Sequence, residues 1–151
     1  MNLNPTNQLS LYGHHLEFCN FIDLYKDRKL PNKILLSGEK GIGKSTLAYH
    51  LINCILSTDE EHSYDKKNFT INPENKTFKL ILNKSNPNFI SIDIEKDKKS
   101  IDINQIRNLI LNLNKSSFNT KPRLVLIDNI ELLNINSVNA LLKILELVLL
   151  F

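Results

Sequence analysis

The chain has 151 residues and a net charge of +3, room for one domain with a real core and a charge too mild to mark a nucleic-acid binder by itself. Its two cysteines, Cys19 and Cys54, and its four histidines, His14, His15, His50 and His62, show no metal-ligand spacing, which points away from a disulfide scaffold or a zinc module and towards reduced thiols and ordinary surface or boundary histidines. The N-terminus lacks an export pattern, and the apolar stretch from Leu141 is interrupted by Lys143 and Glu146. It is too short to span a bilayer, so a core helix in a cytoplasmic protein is expected.

In chain order, residues 1–9 are polar and read as loose. A helix is predicted from about His14 to Tyr25, with Leu16, Cys19, Phe21, Ile22 and Tyr25 at helical spacing and Leu30-Pro31 as its stop. Lys33-Ile34-Leu35-Leu36-Ser37 is a short apolar run and is predicted as a buried first strand.

Ser37-Gly38-Glu39-Lys40-Gly41-Ile42-Gly43-Lys44-Ser45-Thr46 follows and fits G-x-x-x-x-G-K-[ST]. Polyphosphate binding calls for this pattern. Glycines let the backbone curl so that successive amides share one focus, and the next helix adds the partial positive charge of its N-terminus. Lys44 supplies a compact cation, and the Ser45 hydroxyl is placed for Mg²⁺. The candidate nucleotide-contacting set is therefore Gly38, Gly41, Ile42, Gly43, Lys44, Ser45 and Thr46. A helix from Thr46 to Leu56 carries Leu47, Leu51 and Leu56 near one face.

Residues 57–68 read as a polar loop. Asn72-Pro73-Glu74 carries helix-start chemistry, with Asn72 as the cap and Phe78, Ile81 and Leu82 as a short apolar face; a hairpin competes. Pro87 to Ile94 alternates with period two and is predicted as the second strand. Residues 95–100 form a charged loop whose Lys96, Lys98 and Lys99 suit a solvated turn better than a phosphate site. Asp102 caps a helix from about Ile103 to Leu113 with Ile103, Ile106, Leu109, Ile110 and Leu113 inward. Arg123 to Asp128 is a third strand, apolar enough to predict cover on both faces. Asn134 or Asn136 starts a closing helix through Ala140, Leu141, Ile144, Leu145 and Val148.

Strands alternating with helices predict an α/β three-layer domain with a parallel sheet and no second domain. Asp128, at the end of an apolar strand downstream of the loop, is the candidate second magnesium ligand, acting with Ser45. Hydrolytic members of this broad class place a Glu directly after that Asp. Here the residue is Asn129, whose amide can orient water but cannot take its proton. Glu131 is the weak substitute. The residues favour ATP binding over hydrolysis.

The run from Leu30 to Gly38 and on through Gly41 to Ala48 resembles the opening of bacterial clamp-loader ATPase modules. Leu124 to Asp128 followed by Asn139-Ala140-Leu141-Leu142-Lys143-Ile144-Leu145-Glu146 is similar to DNA polymerase III clamp-loader subunits. With Asn129 at its position, the chain resembles the delta-prime subunit more than the gamma/tau motor. The resemblance implies an AAA+ P-loop fold, ATP with Mg²⁺ as cofactors, and a part in loading the sliding clamp on primed DNA beside the gamma/tau and delta subunits. It places Leu11, Tyr12 and Gly13 near the adenine. It covers about Leu9 to Glu146 without the family's later lid, arginine-finger and collar segments, so the chain reads as the N-terminal nucleotide-binding subdomain of a truncated relative.

In that family a further strand lies between the phosphate-loop strand and the Asp128 strand. An unfilled gap there leaves backbone groups unpaired at about 1–3 kcal/mol each, and predicts a marginal domain. The competing function is a small P-loop kinase of nucleotide type, in which those two strands pair directly.

Overall fold

The computed structural model describes residues 4–115 and 119–147. Contacts divide the chain into two compact units, Met1–Asn86 and Pro87–Phe151.

In the first unit, α1 (His15–Lys26), α2 (Lys44–Leu56) and α3 (Lys76–Leu82) carry the core. The predicted α1 is present, but its inner face is different: Phe18 and Ile22 are buried, whereas Leu16 is 78% exposed and Cys19 lies at the surface. The positions predicted as one stripe span more arc than a single face can bury, and Phe18 takes the inner position by stacking on Tyr64 at 5.1 Å and meeting Phe69 edge-on at 5.6 Å. The helix ends where Arg28 turns left-handed (φ 57°), with its amide on Tyr25 O and the Lys29 amide on Leu24 O.

Helix α2 is buried over more of its circumference than the predicted stripe, with Leu47, Ala48, His50, Ile52, Asn53, Cys54, Ile55 and Leu56 all inside. His50, expected at the surface or boundary, is fully buried. Ser57 to Asn68 is irregular, as predicted, yet it belongs to the core: Tyr64 and Ser57 are buried, and Ser57 Oγ accepts the Tyr64 amide at 3.2 Å. Asp65 then folds a tight turn, accepting the Lys67 and Asn68 amides, which presents Phe69 to α1.

The start of α3 lies three residues later than predicted. Asn72 makes its own turn, accepting the Glu74 amide at 2.8 Å, while Asn75 is the true cap, accepting the Phe78 amide at 2.7 Å. Tertiary bonds decide between them. Asn53 Nδ2 donates to Asn75 Oδ1 at 2.9 Å, and Asn75 Nδ2 donates to His62 O at 2.6 Å, so the buried Asn75 has partners that Asn72 lacks.

The predicted first strand is not formed. Residues 33–37 belong to no sheet among the described residues, and Ile34 and Leu35 are 46% and 74% exposed. An apolar extended run becomes a strand only where another backbone offers it a row of N–H and C=O groups, and the run joins no such ladder among the described residues.

The second unit is built on β1 (Phe89–Ile92) and β2 (Leu124–Ile127), parallel and in register with Phe89 opposite Leu124 and Ile92 opposite Ile127. The crossover contains α4 (Ile103–Leu113), and α5 (Ile135–Leu147) closes the unit. The cap of α4 is as predicted: Asp102 accepts the Asn104 and Gln105 amides, and Gln105 Oε1 accepts the Asp102 amide, completing a capping box. Asn134 is the cap of α5, accepting the Ser137 amide at 2.9 Å.

The core here is Ile92, Ile101, Ile106, Leu109 and Leu141, each such side chain contributing about 1.5–3 kcal/mol on burial. Ile101 ties the unit together: its amide donates to Leu132 O at 2.8 Å and its carbonyl accepts Ser137 Oγ at 3.0 Å. The expectation that β2 is covered on both faces does not hold, since Val125 is 37% exposed. No helix among the described residues is long and apolar enough to cross a membrane.

Candidate functional site

Glycine chemistry shapes residues 38–43. Gly38, Gly41 and Gly43 have φ of 151°, 86° and 97°, conformations that L side chains resist. Gly43 is the N-cap residue of α2, and the first intrahelical bond runs from the Leu47 amide to Gly43 O at 2.9 Å. Helix geometry therefore leaves the amides of Lys44, Ser45 and Thr46 with no acceptor inside the helix. All three belong to the seven-residue candidate set.

Lys44 folds back across the loop. Its Nζ donates to Gly38 O and Glu39 O, both at 2.8 Å. The ammonium thus ties the start of the loop to the start of α2. An anion can replace the two carbonyls as the acceptor, because a full negative charge competes well against neutral oxygens for an ammonium. Ile42 is 52% exposed, and both its backbone groups are engaged within the protein: its amide on Glu39 O at 3.5 Å and its carbonyl on the His14 ring at 2.7 Å.

The segment placed near the adenine by resemblance is anchored in the first unit. The Leu11 amide donates to Phe69 O at 3.0 Å and the Ile71 amide to Leu9 O at 2.8 Å. His15 stacks on Phe69 at 4.1 Å, with Nε2 against Leu11 O at 2.9 Å. Leu11 is buried, and Tyr12 is 85% exposed. His50 extends the anchoring from α2. Its Nε2 faces Gln8 O at 3.1 Å, so that nitrogen carries the proton, and its Nδ1 accepts from Tyr64 OH at 2.8 Å. Burial lowers the His50 pKa to about 4, with the Gln8 carbonyl opposing that shift, and burial raises the Tyr64 hydroxyl above its ordinary range.

Asp128 follows β2 in the second unit. Its Oδ1 accepts the Asn129 amide at 3.0 Å. Asn129 is left-handed (φ 51°) and its side-chain amide donates to Asp93 Oδ1 at 2.7 Å. Asp93 therefore sits beside Asp128, both following paired parallel strands at their C-terminal ends, where open α/β sheets keep their functional groups. Asp93 was not singled out in the sequence, though its place at the end of an alternating strand was a usable signal. Glu131 is exposed in the 3-10 turn Ile130–Leu132. Lys98 is held by Glu95 and Asp102, each at 2.6 Å, in agreement with the solvated turn expected of residues 95–100.

These features define a small α/β protein with a glycine-shaped loop at a helix start and a carboxylate pair at the ends of parallel strands. The family model described as DNA polymerase III, delta subunit matches residues 14–147, and the chain belongs to that family, as a clamp-loader subunit of the delta-prime type. That membership puts it in DNA replication. No curated protein matches the chain.

Proposed function

We propose that the chain is an ATP-binding, delta-prime-like subunit of the DNA polymerase III clamp loader. Residues 1–151 would form the N-terminal nucleotide-binding subdomain of an AAA+ P-loop protein, working beside gamma/tau and delta to set the sliding clamp on primed DNA. The observation that carries the nucleotide reading is Lys44 Nζ lying on Gly38 O and Glu39 O at 2.8 Å across a loop of left-handed glycines.

The residues present fit a nucleotide with its magnesium. The donor set is cationic and amide-rich, and open space adjoins the loop at Gly41, where a Cβ would meet nothing within 4 Å. Lys44 would hold the β- and γ-phosphates, and the amides of Gly43 to Thr46 would receive the remaining phosphate charge. The Ser45 hydroxyl would hold Mg²⁺, and the resemblance assigns Asp128 to the same ion. Magnesium supplies charge neutralisation across the phosphates when bound. Asn129 has no proton-accepting group and its amide is committed to Asp93, so turnover is slow and the subunit serves as a nucleotide-bound partner rather than a motor.

A small P-loop nucleotide kinase would use the same loop chemistry, and the family match over residues 14–147 favours the clamp-loader reading.

Titration of Mg·ATP by calorimetry against the chain and its Lys44→Ala variant tests the nucleotide reading. Loss of charge-assisted bonds of about 1.5–3 kcal/mol weakens binding roughly ten- to hundredfold. Equal affinities would remove the nucleotide role.

A further inference from the structure

The loop contains a hydrogen bond that its sequence motif does not predict. His14 Nε2 lies 2.7 Å from Ile42 O, joining residues far apart in the chain. A carbonyl oxygen only accepts, so Nε2 carries the proton and donates it. The other ring nitrogen, Nδ1, faces Glu17 Oε2 at 3.9 Å, too far for a hydrogen bond to fix the tautomer. The ring also lies against Gly43: a Cβ built there would be 3.7 Å from both Cδ2 and Nε2.

His14 is itself firmly set. It follows Gly13 (φ 71°) and is left-handed (φ 54°) at the start of α1, where its carbonyl accepts the Phe18 amide at 2.9 Å. On one side the Leu11 amide bonds Phe69 O, and on the other His15 stacks on the Phe69 ring. A non-glycine residue in that region persists only where its surroundings hold it.

We propose that His14 is a positioning residue for the phosphate loop. The peptide joining Ile42 to Gly43 is planar and trans, so its carbonyl and its amide point in opposite directions. By holding the carbonyl, His14 turns the Gly43 N–H away from the imidazole, to the side where a phosphate oxygen accepts it. The latch is needed because of Gly43. The missing Cβ that lets the backbone reach φ 97° also lets this peptide rotate at little cost. Rotated, it would present a carbonyl oxygen to the phosphate in place of a donor. The proposal rests on the nucleotide reading of the loop.

Calorimetric titration of Mg·ATP and of inorganic pyrophosphate against wild type, Lys44→Ala, His14→Phe and His14→Gln separates the two ideas. His14→Phe keeps a ring without a donor and is expected to weaken both ligands roughly three- to tenfold, the size of one lost hydrogen bond. His14→Gln keeps an N–H donor and restores affinity to within about twofold of wild type. If Lys44→Ala binds like wild type, the nucleotide reading fails and the latch with it. If Lys44→Ala weakens binding but His14→Phe does not, or if His14→Gln is as weak as His14→Phe, the latch alone is overturned. A readout that needs no variant is the ¹⁵N spectrum of the His14 ring. The proposal requires the Nε2-protonated tautomer, and an Nδ1-protonated ring overturns it even if His14→Phe does not fold.

Discussion

His50 makes the first unit sensitive to acid. It is fully buried on α2, donates from Nε2 to Gln8 O and accepts from Tyr64 OH. Burial holds its pKa at about 4 against an ordinary 6.5. The unfolded chain therefore takes up a proton first as pH falls. The stability due to this group is complete above pH 6.5, falls through the window down to about 4, and rises with pH between them. At about 1.4 kcal/mol per pH unit, the whole window is worth roughly 3 kcal/mol, of which about 2 kcal/mol is gone by pH 5. The carboxyls of Asp65, Glu74 and Asp102 also sit below their usual range, held there chiefly by Asn68, Lys79 and Lys98 respectively. They act in the same direction, but their stability is lost only as pH falls below the ordinary carboxylate values.

The assay is urea unfolding by far-ultraviolet circular dichroism at pH 7 and pH 5, for wild type and His50→Gln. With a slope of about 2 kcal/mol per molar urea, the wild-type midpoint falls by about 1 M more than that of the variant. Direct NMR titration of the imidazole is expected to give a midpoint near 4. A midpoint at the ordinary value, or equal pH sensitivity of the two proteins, would refute the buried neutral imidazole.

Two further outcomes are expected. Asn75→Ala removes the cap of α3 and leaves the buried Asn53 amide without its acceptor; a cap loss of about 1 kcal/mol plus an unpaired donor at about 1–3 kcal/mol predicts roughly 3 kcal/mol of destabilisation by urea titration, and a change under about 0.5 kcal/mol would contradict it. Cys19 is exposed while Cys54 is buried with its thiol pushed up to about 11, chiefly by burial. An aromatic disulfide reagent at neutral pH should therefore titrate one thiol at once and the second only on unfolding, and two fast thiols would show the first unit to be open.

Much of the candidate site is legible in the sequence because its causes are local. Left-handed glycines at 38, 41 and 43, a lysine and a serine at the first helical positions, and the Asp102–Gln105 box all act over a few residues. Backbone sterics and helix-end geometry determine them with little help from the rest of the chain. The bounds of α4 and the positions of the two paired strands are readable for the same reason: periodicity of apolar residues is a local pattern.

Tertiary structure decided what depends on partners distant in sequence. Asn75 rather than Asn72 caps α3 because Asn53 and His62 O meet it. His50 is inside because Tyr64 and Gln8 O complete its hydrogen bonds, and His14 reaches the loop because Phe69 fixes the segment before it. The run from Lys33 to Ser37 has the composition of a buried strand and is not one. Composition sets a segment's tendency to extend, but a strand exists only when a second backbone completes its hydrogen bonds.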